Sequence, residues 1–402
     1  MIKIVWSLSL VMILALVFSC KSDVKRNEPK DEGKPLSNNN KQILKKLDSL
    51  VQILVDNKET PGVAYGIQID GMEPVFGSYG FSNLESDKSM SVDDQFRIAS
   101  ITKPFTAISI FQLIESEKLS LDDTLDYFFP DFPRGEKITI YHLLSHTSGM
   151  VNWYDTKMPQ DTPEDFPMCA QPHKYVEEME NMFLFEPGDF HSYSNTGYVL
   201  LGEIVEIISG KSFERYLKDE IFNPLQIIDS EMETLANSSE QWAKGYGLDR
   251  GVKELFVEPE KYPMPYAAGG LRSTVKDLLL LMKGLNDGTL LSKELRDKMT
   301  QYAKVNSGED INDIVNFYFP KDFVLPERPE YLGKYGYGLG FQRMEIFSTD
   351  AIWHGGGIAG FQTALIHIPD NGVTLSILTN AGIPGGYSTI WKEVQCLITA
   401  IE

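Results

Sequence analysis

Three cysteines in 402 residues, Cys20, Cys169 and Cys396, are too few and too scattered for a disulfide framework. Positive charge is also scarce: 37 lysines and arginines face 57 acidic residues, a formal charge of -20. A polyanion would be repelled by most of that surface, which excludes nucleic acid as a partner. No Gly-x-Ser-x-Gly elbow occurs, which argues against an α/β-hydrolase. Metal ligands are sparse as well. His142 and His146 have helical ligand spacing in HLLSH, but the glutamate of a zinc-protease motif is missing and no third ligand suggests itself. The chain shows no internal repeat. Its 42% apolar content instead supports a large packed core, in one large domain or two ordinary ones.

The first apolar run, in MIKIVWSLSLVMILALVFSC, is about fifteen residues long, short of the roughly twenty needed to cross a bilayer. With Lys3 in front of it, the segment 1–20 reads as an export signal. Its end, Val17-Phe18-Ser19-Cys20, resembles the lipobox of bacterial lipoproteins, which implies lipidation at Cys20 and a membrane partner through that anchor. Residues 21–40 hold almost no large apolar side chain and read as a flexible tether. The folded unit is therefore expected over 41–402.

Within it, Ile43, Leu47, Leu50 and Leu54 recur at helical spacing until Pro61-Gly62. GVAYGIQI and EPVFGSYGF flank Asp70-Gly71, and FQTALIHI and GVTLSILTN flank Pro369-Asp370-Asn371-Gly372, so a hairpin is expected at each end of the chain. Helical patterns fill the middle, at 100–118, 139–146, 195–209, 212–220 and 274–287, and YSTIWKEVQCLITAIE closes the chain as another. The fold class expected is α/β (α+β): an antiparallel sheet built from both chain ends, flanked by terminal helices, with a mostly helical domain inserted between.

Ser-x-x-Lys occurs three times, at Ser22, Ser100 and Ser273. The first lies in the tether. The third adjoins Thr274, which has Asp277 three residues on and reads as a helix cap. The middle copy opens a helix on which Ile101, Phe105, Ile108 and Phe111 share a face, and Lys103 stands one turn from Ser100. Pro104 leaves the Ser100 carbonyl without its helical partner, so an irregular first turn is expected. Ser100 is either a cap or a nucleophile. As a nucleophile it needs a base, and Lys103 serves only if its pKa is lowered. Tyr193, in the only Tyr-x-Asn of the chain, Tyr193-Ser194-Asn195, could share the work, its own pKa drawn down by the lysine's charge.

FRIASITKPFTA, ITIYHLLSHTSGM, FHSYSNTGYVLLG, AAGGLRSTVKDLLLLMKGL and WHGGGIAGF stand in that order. Together they resemble the serine β-lactamase and penicillin-binding protein superfamily, specifically its class C-like branch, over roughly residues 40 to 400. That branch also contains D-alanyl-D-alanine carboxypeptidases, D-aminopeptidases and esterases. The resemblance implies that Ser100 is acylated, that Lys103 and Tyr193 move its proton, and that Asn195 orients substrate. His354, Gly355 and Gly356 match the third element, often Lys-Thr-Gly, and the N–H groups of Ser100 and Gly357 would form the oxyanion hole. Histidine in place of the lysine weakens the antibiotic reading, because an imidazole of ordinary pKa is mostly neutral at pH 7.

The expectation is an exported serine hydrolase that needs no cofactor or metal and acts on D-amino-acid peptides or on small esters or amides. A β-lactamase and a non-catalytic binding protein are the alternatives. His191 is expected as a satisfied loop histidine rather than a cleft residue, and His146 as a packing residue in the turn ending at Gly149. Trp153 and Tyr154 are left between lining a groove and pinning a lid.

Overall fold

The computed structural model describes residues 38–163, 166, 171–234, 237–249, 254–257, 265–312, 318, 332–346 and 349–382. The leader, tether residues 21–37, Cys20, Cys169, Cys396 and the closing helical pattern lie outside these residues, while 38–40, expected in the tether, already belong to the first helix.

An eight-stranded antiparallel sheet forms the frame, and both chain ends build it. Its central strand from the N-terminal side, Gly62–Ile69, pairs on one edge with Val75–Asn83 and on the other with Val373–Thr379. The order then runs outward through Phe361–Ile368, Thr349–Ile358, Gln342–Ile346 and Leu332–Tyr337. Both expected hairpins are present: Gly71 and Gly372 take positive φ, the backbone state such tight connections demand. One sheet face is covered by the Asn38–Asp56 helix, which inserts Leu47 and Val51 among Tyr65, Trp353, Ile366 and Leu375. The Tyr65 hydroxyl reaches back to donate to Asp48 on the same helix.

The opposite face carries the main core and the helical insert. Four of the five expected helices in the insert correspond closely to observed ones: Thr102–Glu115, Ile140–Leu144, Asn195–Ser209 and Val275–Asn286. Thr274 caps the last, accepting from the Asp277 N–H, as its sequence position implied. The fifth is broken up, with an α-helical Phe213–Leu217 passing into a π-type turn at Lys218–Phe222. A further helix, Lys293–Thr300, was not anticipated. The Thr102–Glu115 helix also differs from the one-faced helix its pattern suggested: all of Thr102 to Phe111 is buried, so it runs through the middle of the molecule. A helix in that place needs no polar face, and its few polar side chains are consumed internally, as when Thr106 donates to the Ala267 carbonyl at 2.6 Å.

Candidate active site

Ser100 does not cap a helix. It lies in a 3-10 turn, Ala99–Ile101, and the α-helix begins at Thr102, whose N–H closes on the Ala99 and Ser100 carbonyls. With no N–H on Pro104 the irregular turn is obligatory. Ala99 takes φ of +47°, a conformation an alanine rarely adopts and one that surrounding structure must hold. Two neighbours supply that hold. Ile98 donates its N–H to the Leu271 carbonyl at 3.0 Å, and its own carbonyl accepts from Thr363 Oγ1 at 3.1 Å. The Thr349–Ile358 strand then passes so close that a Cβ on Gly356 would lie 2.1 Å from the Ile98 oxygen. Only glycine permits that approach, which sets the Gly355–Gly357 edge beside the Ser100 turn. Gly355 and Gly356 are buried there, and Gly357 is exposed.

Lys103 is 0% exposed, and its Nζ lies 3.2 Å from Ser100 Oγ, 2.6 Å from Asn195 Oδ1 and 2.7 Å from the Ala268 carbonyl. Complete burial drives its pKa well below the ordinary lysine value. A neutral amine has two N–H groups and one lone pair. The Ala268 carbonyl and the Asn195 amide oxygen can only accept, so in the neutral form they take both N–H groups and the lone pair faces the Ser100 hydroxyl. The lowered lysine pKa weakens the positive charge invoked above to activate Tyr193. Ala268 was invisible as a site residue in sequence because its contribution is a carbonyl. Its turn, Tyr266–Ala268, is brought in by the contact of Thr106 with Ala267 and by Gly202, where a Cβ would strike Ala267 at 2.4 Å.

Tyr193 comes from the loop before the Asn195–Ser209 helix, and its ring centre lies 4.7 Å from Lys103 Nζ. The hydroxyl, the amine and the phenol ring, distant in sequence, thus meet at one place. The segment after Gly149 cradles this loop. Asn152 Oδ1 accepts from the Asn195 N–H at 2.6 Å, while its Nδ2 donates to the Tyr193 carbonyl at 3.4 Å. Thr196 Oγ1 donates to the Val151 carbonyl and accepts from the Trp153 N–H. Tyr154 is the aromatic residue that reaches the site: its hydroxyl accepts from Asn195 Nδ2 at 2.9 Å, and its ring stays largely exposed. Trp153 instead packs edge-on against Phe166. Asn152 carried no signal of its own in the sequence beyond lying just past Gly149.

His354 is brought beside Lys103 by its strand but faces inward, 1% exposed. Its Nδ1 meets the Gly355 carbonyl at 2.8 Å and its Nε2 the Tyr337 hydroxyl at 3.1 Å, so Nδ1 carries the proton and Nε2 accepts. Burial, reinforced by Lys103, pushes its pKa down to about 3. It therefore carries no charge at neutral pH, and both ring nitrogens already have partners within the protein. The ring expected at the substrate thus lies buried behind the strand. His191 is likewise buried, its pKa lowered by burial to about 3, and its ring packs against Tyr337 and His146. His142 closes a capping box with Thr139, and His146 turns the other way, so the two do not act as a pair.

A serine, a desolvated lysine and a tyrosine at the junction of an antiparallel sheet and a helical insert define the fold class of the active-site-serine penicillin-recognising proteins. The chain belongs to the Beta-lactamase family, whose sequence model matches residues 47–395. It is 28% identical over 320 residues to penicillin-binding protein 4* of Bacillus subtilis, covering 75% of this chain and 64% of that protein. It is 22% identical over 336 residues to a D-aminopeptidase of Gluconobacter oxydans, covering 83% of this chain and 58% of that one. The chain thus spans less than two thirds of the length of either relative. Among solved structures, the D-amino acid amidase of Ochrobactrum anthropi complexed with D-phenylalanine superposes with a TM-score of 0.75 at 24% identity, over 90% of this chain and 99% of that one. The penicillin-binding protein homologue of Pyrococcus abyssi gives 0.72 at 29% identity, over 89% and 77%.

Proposed function

We propose that this protein is a serine hydrolase working through an acyl-enzyme on D-amino-acid amides and peptides or on small esters. The observation that carries the reading is the fully buried Lys103, whose Nζ stands 3.2 Å from Ser100 Oγ while the Asn195 amide oxygen and the Ala268 carbonyl accept from it. The hydroxyl proton passes to Nζ as Oγ attacks the substrate carbonyl. The tetrahedral adduct collapses with cleavage of the bond to the leaving amine or alkoxide, which takes up that proton, with Tyr193 beside the amine to relay it. Water then attacks the acyl carbon, releases the acid and restores the serine hydroxyl. The exposed Gly357 backbone at the strand edge and the Ser100 N–H are the donors for the developing oxyanion.

The neutral, inward-facing His354 sets the substrate class. Where a lysine would offer a fixed charge to a substrate carboxylate, this strand offers none from that side chain, which favours amides, esters and N-terminal D-residues over carboxylate-bearing β-lactams. The D-aminopeptidase and D-amino acid amidase relatives point the same way. A fluorophosphonate probe should label the protein at Ser100, and S100A should remain unlabelled. Turnover should rank a D-amino-acid amide or nitrophenyl ester above a chromogenic cephalosporin. Equal labelling of S100A would overturn the catalytic assignment, and a cephalosporin hydrolysed fastest would overturn the substrate class. Ligand binding with no acylation on the whole panel would favour the non-catalytic alternative. Export and a lipid at Cys20 belong to the same proposal. A clickable fatty acid should be incorporated by the wild-type chain and not by C20S.

A further inference from the structure

We infer that His146 is the positioning residue that holds Tyr193 in its working place, through an acceptor nitrogen aimed at the backbone next to the tyrosine. The inference rests on the acyl-serine reading above. His146 touches the Tyr193 loop at three points. Its carbonyl accepts from the Ser192 N–H at 2.9 Å, its Nδ1 accepts from the Ser194 N–H at 3.1 Å, and its ring packs on the Tyr193 ring at 4.3 Å. The residues on both sides of the phenol are thereby fixed by one side chain and its backbone. That bracketing is possible because His146 takes φ of +60°, which turns its carbonyl and its ring toward the same loop. Beyond it stand the rings of Tyr198 at 5.1 Å, Tyr337 at 4.6 Å and His191 at 5.8 Å, so the imidazole has a rigid wall behind it.

The nitrogen can do this only as a lone pair, since a backbone N–H can only donate. Full burial, with His191, Lys103 and His354 nearby, keeps the imidazole neutral by lowering its pKa well below 6.5. The ring proton therefore sits on Nε2, which has no hydrogen-bond acceptor among the described residues. The histidine is thus a neutral acceptor, distinct from a metal ligand and from a proton donor to substrate.

The test uses the full chain with a fluorophosphonate probe, reading separately the maximal inactivation rate and the probe concentration at half-saturation. Asparagine tolerates a left-handed backbone, and its Oδ1 can stand where Nδ1 stands. H146N should therefore stay within about threefold of wild type, whereas H146Q and H146A should lose about 100-fold in maximal rate with half-saturation unchanged, the scale of an ångström misplacement. Independently of any substitution, nitrogen NMR of the intact protein near pH 7 should show His146 protonated at Nε2 only. A proton on Nδ1, or H146Q or H146A reacting at the wild-type rate while S100A stays unlabelled, would overturn this inference alone. Full labelling of S100A would remove the acyl-serine reading beneath it.

Discussion

One nitrogen, Lys103 Nζ, carries the proposed chemistry of the pocket. In water it would be an ammonium and useless as a base; full burial among two pure acceptors and a hydroxyl lowers its pKa well below the ordinary lysine value, which favours the amine. Lys103→Met keeps the stem and removes the nitrogen. It should lower the acylation rate by about 10² to 10⁴-fold, the usual contribution of a positioned base, with the circular dichroism spectrum retained. In the wild-type protein the acylation rate should rise with pH through a titration well below the ordinary lysine value of 10.5, because protonation on the acid side fills the lone pair. A rate insensitive to the loss of Nζ would assign the base to another group. At this scale the sequence named Ser100, Lys103, Tyr193 and Asn195, since each stands in a spaced motif. It made the lysine's role conditional on a lowered pKa, left Tyr154 between a groove and a lid, and could not show Asn152 or the Ala268 carbonyl, whose places depend on contacts distant in sequence.

At the scale of the element, the strand Thr349–Ile358 and the turn Ala99–Ile101 form one piece, locked where Gly356 meets the Ile98 carbonyl. Gly356→Ala puts a methyl 2.1 Å from a backbone oxygen that has no rotamer to yield. The expected outcome is a stability loss of about 1–3 kcal/mol, the usual scale of overpacking, in urea unfolding, together with slowed acylation because the nucleophile turn must shift. Unchanged unfolding would mean that the strand can slide away at no cost. The glycines 355–357 were legible as a motif, yet the reason for them was not, because the partner that excludes a Cβ lies more than two hundred residues earlier in the chain. Helix periodicity failed for a related reason. The stretch from Thr102 to Phe111 is surrounded on all sides, and a pattern that assigns one apolar face cannot report a helical stretch with no outer face.

Across the whole molecule, several histidines are buried neutral, and this ties stability to pH. Burial lowers His191 and His354 to about 3 and His367 to about 4, and it holds His146 well below 6.5. Above pH 6.5 these rings are neutral in folded and unfolded chains alike and cost nothing. As pH falls below 6.5 the unfolded chain takes up protons that the folded chain refuses, so stability declines down to about 3 to 4, where the folded rings finally protonate. At pH 5 each such ring costs about 2 kcal/mol. Asp277 works in the opposite direction, its pKa raised by burial to about 6, so it adds some stability as pH falls below that value. The histidines outnumber it, and the urea midpoint should drop between pH 7.5 and pH 5, with proton uptake on unfolding. A midpoint that held steady would show these rings to be hydrated or charged in the native state.

The sequence by itself determined the elements and their chemistry: two hairpins from turn residues, helices from apolar spacing, and a serine, lysine, tyrosine and asparagine from motifs of fixed separation. These are local properties, set by backbone sterics and by what a few neighbouring side chains can reach. Only the tertiary structure decided which groups are charged and which are aimed at one another, because desolvation and contact arise when the two chain ends close one sheet around the helical insert. The lowered pKa of Lys103, the inward ring of His354 and the hold of His146 on Tyr193 all follow from that closure.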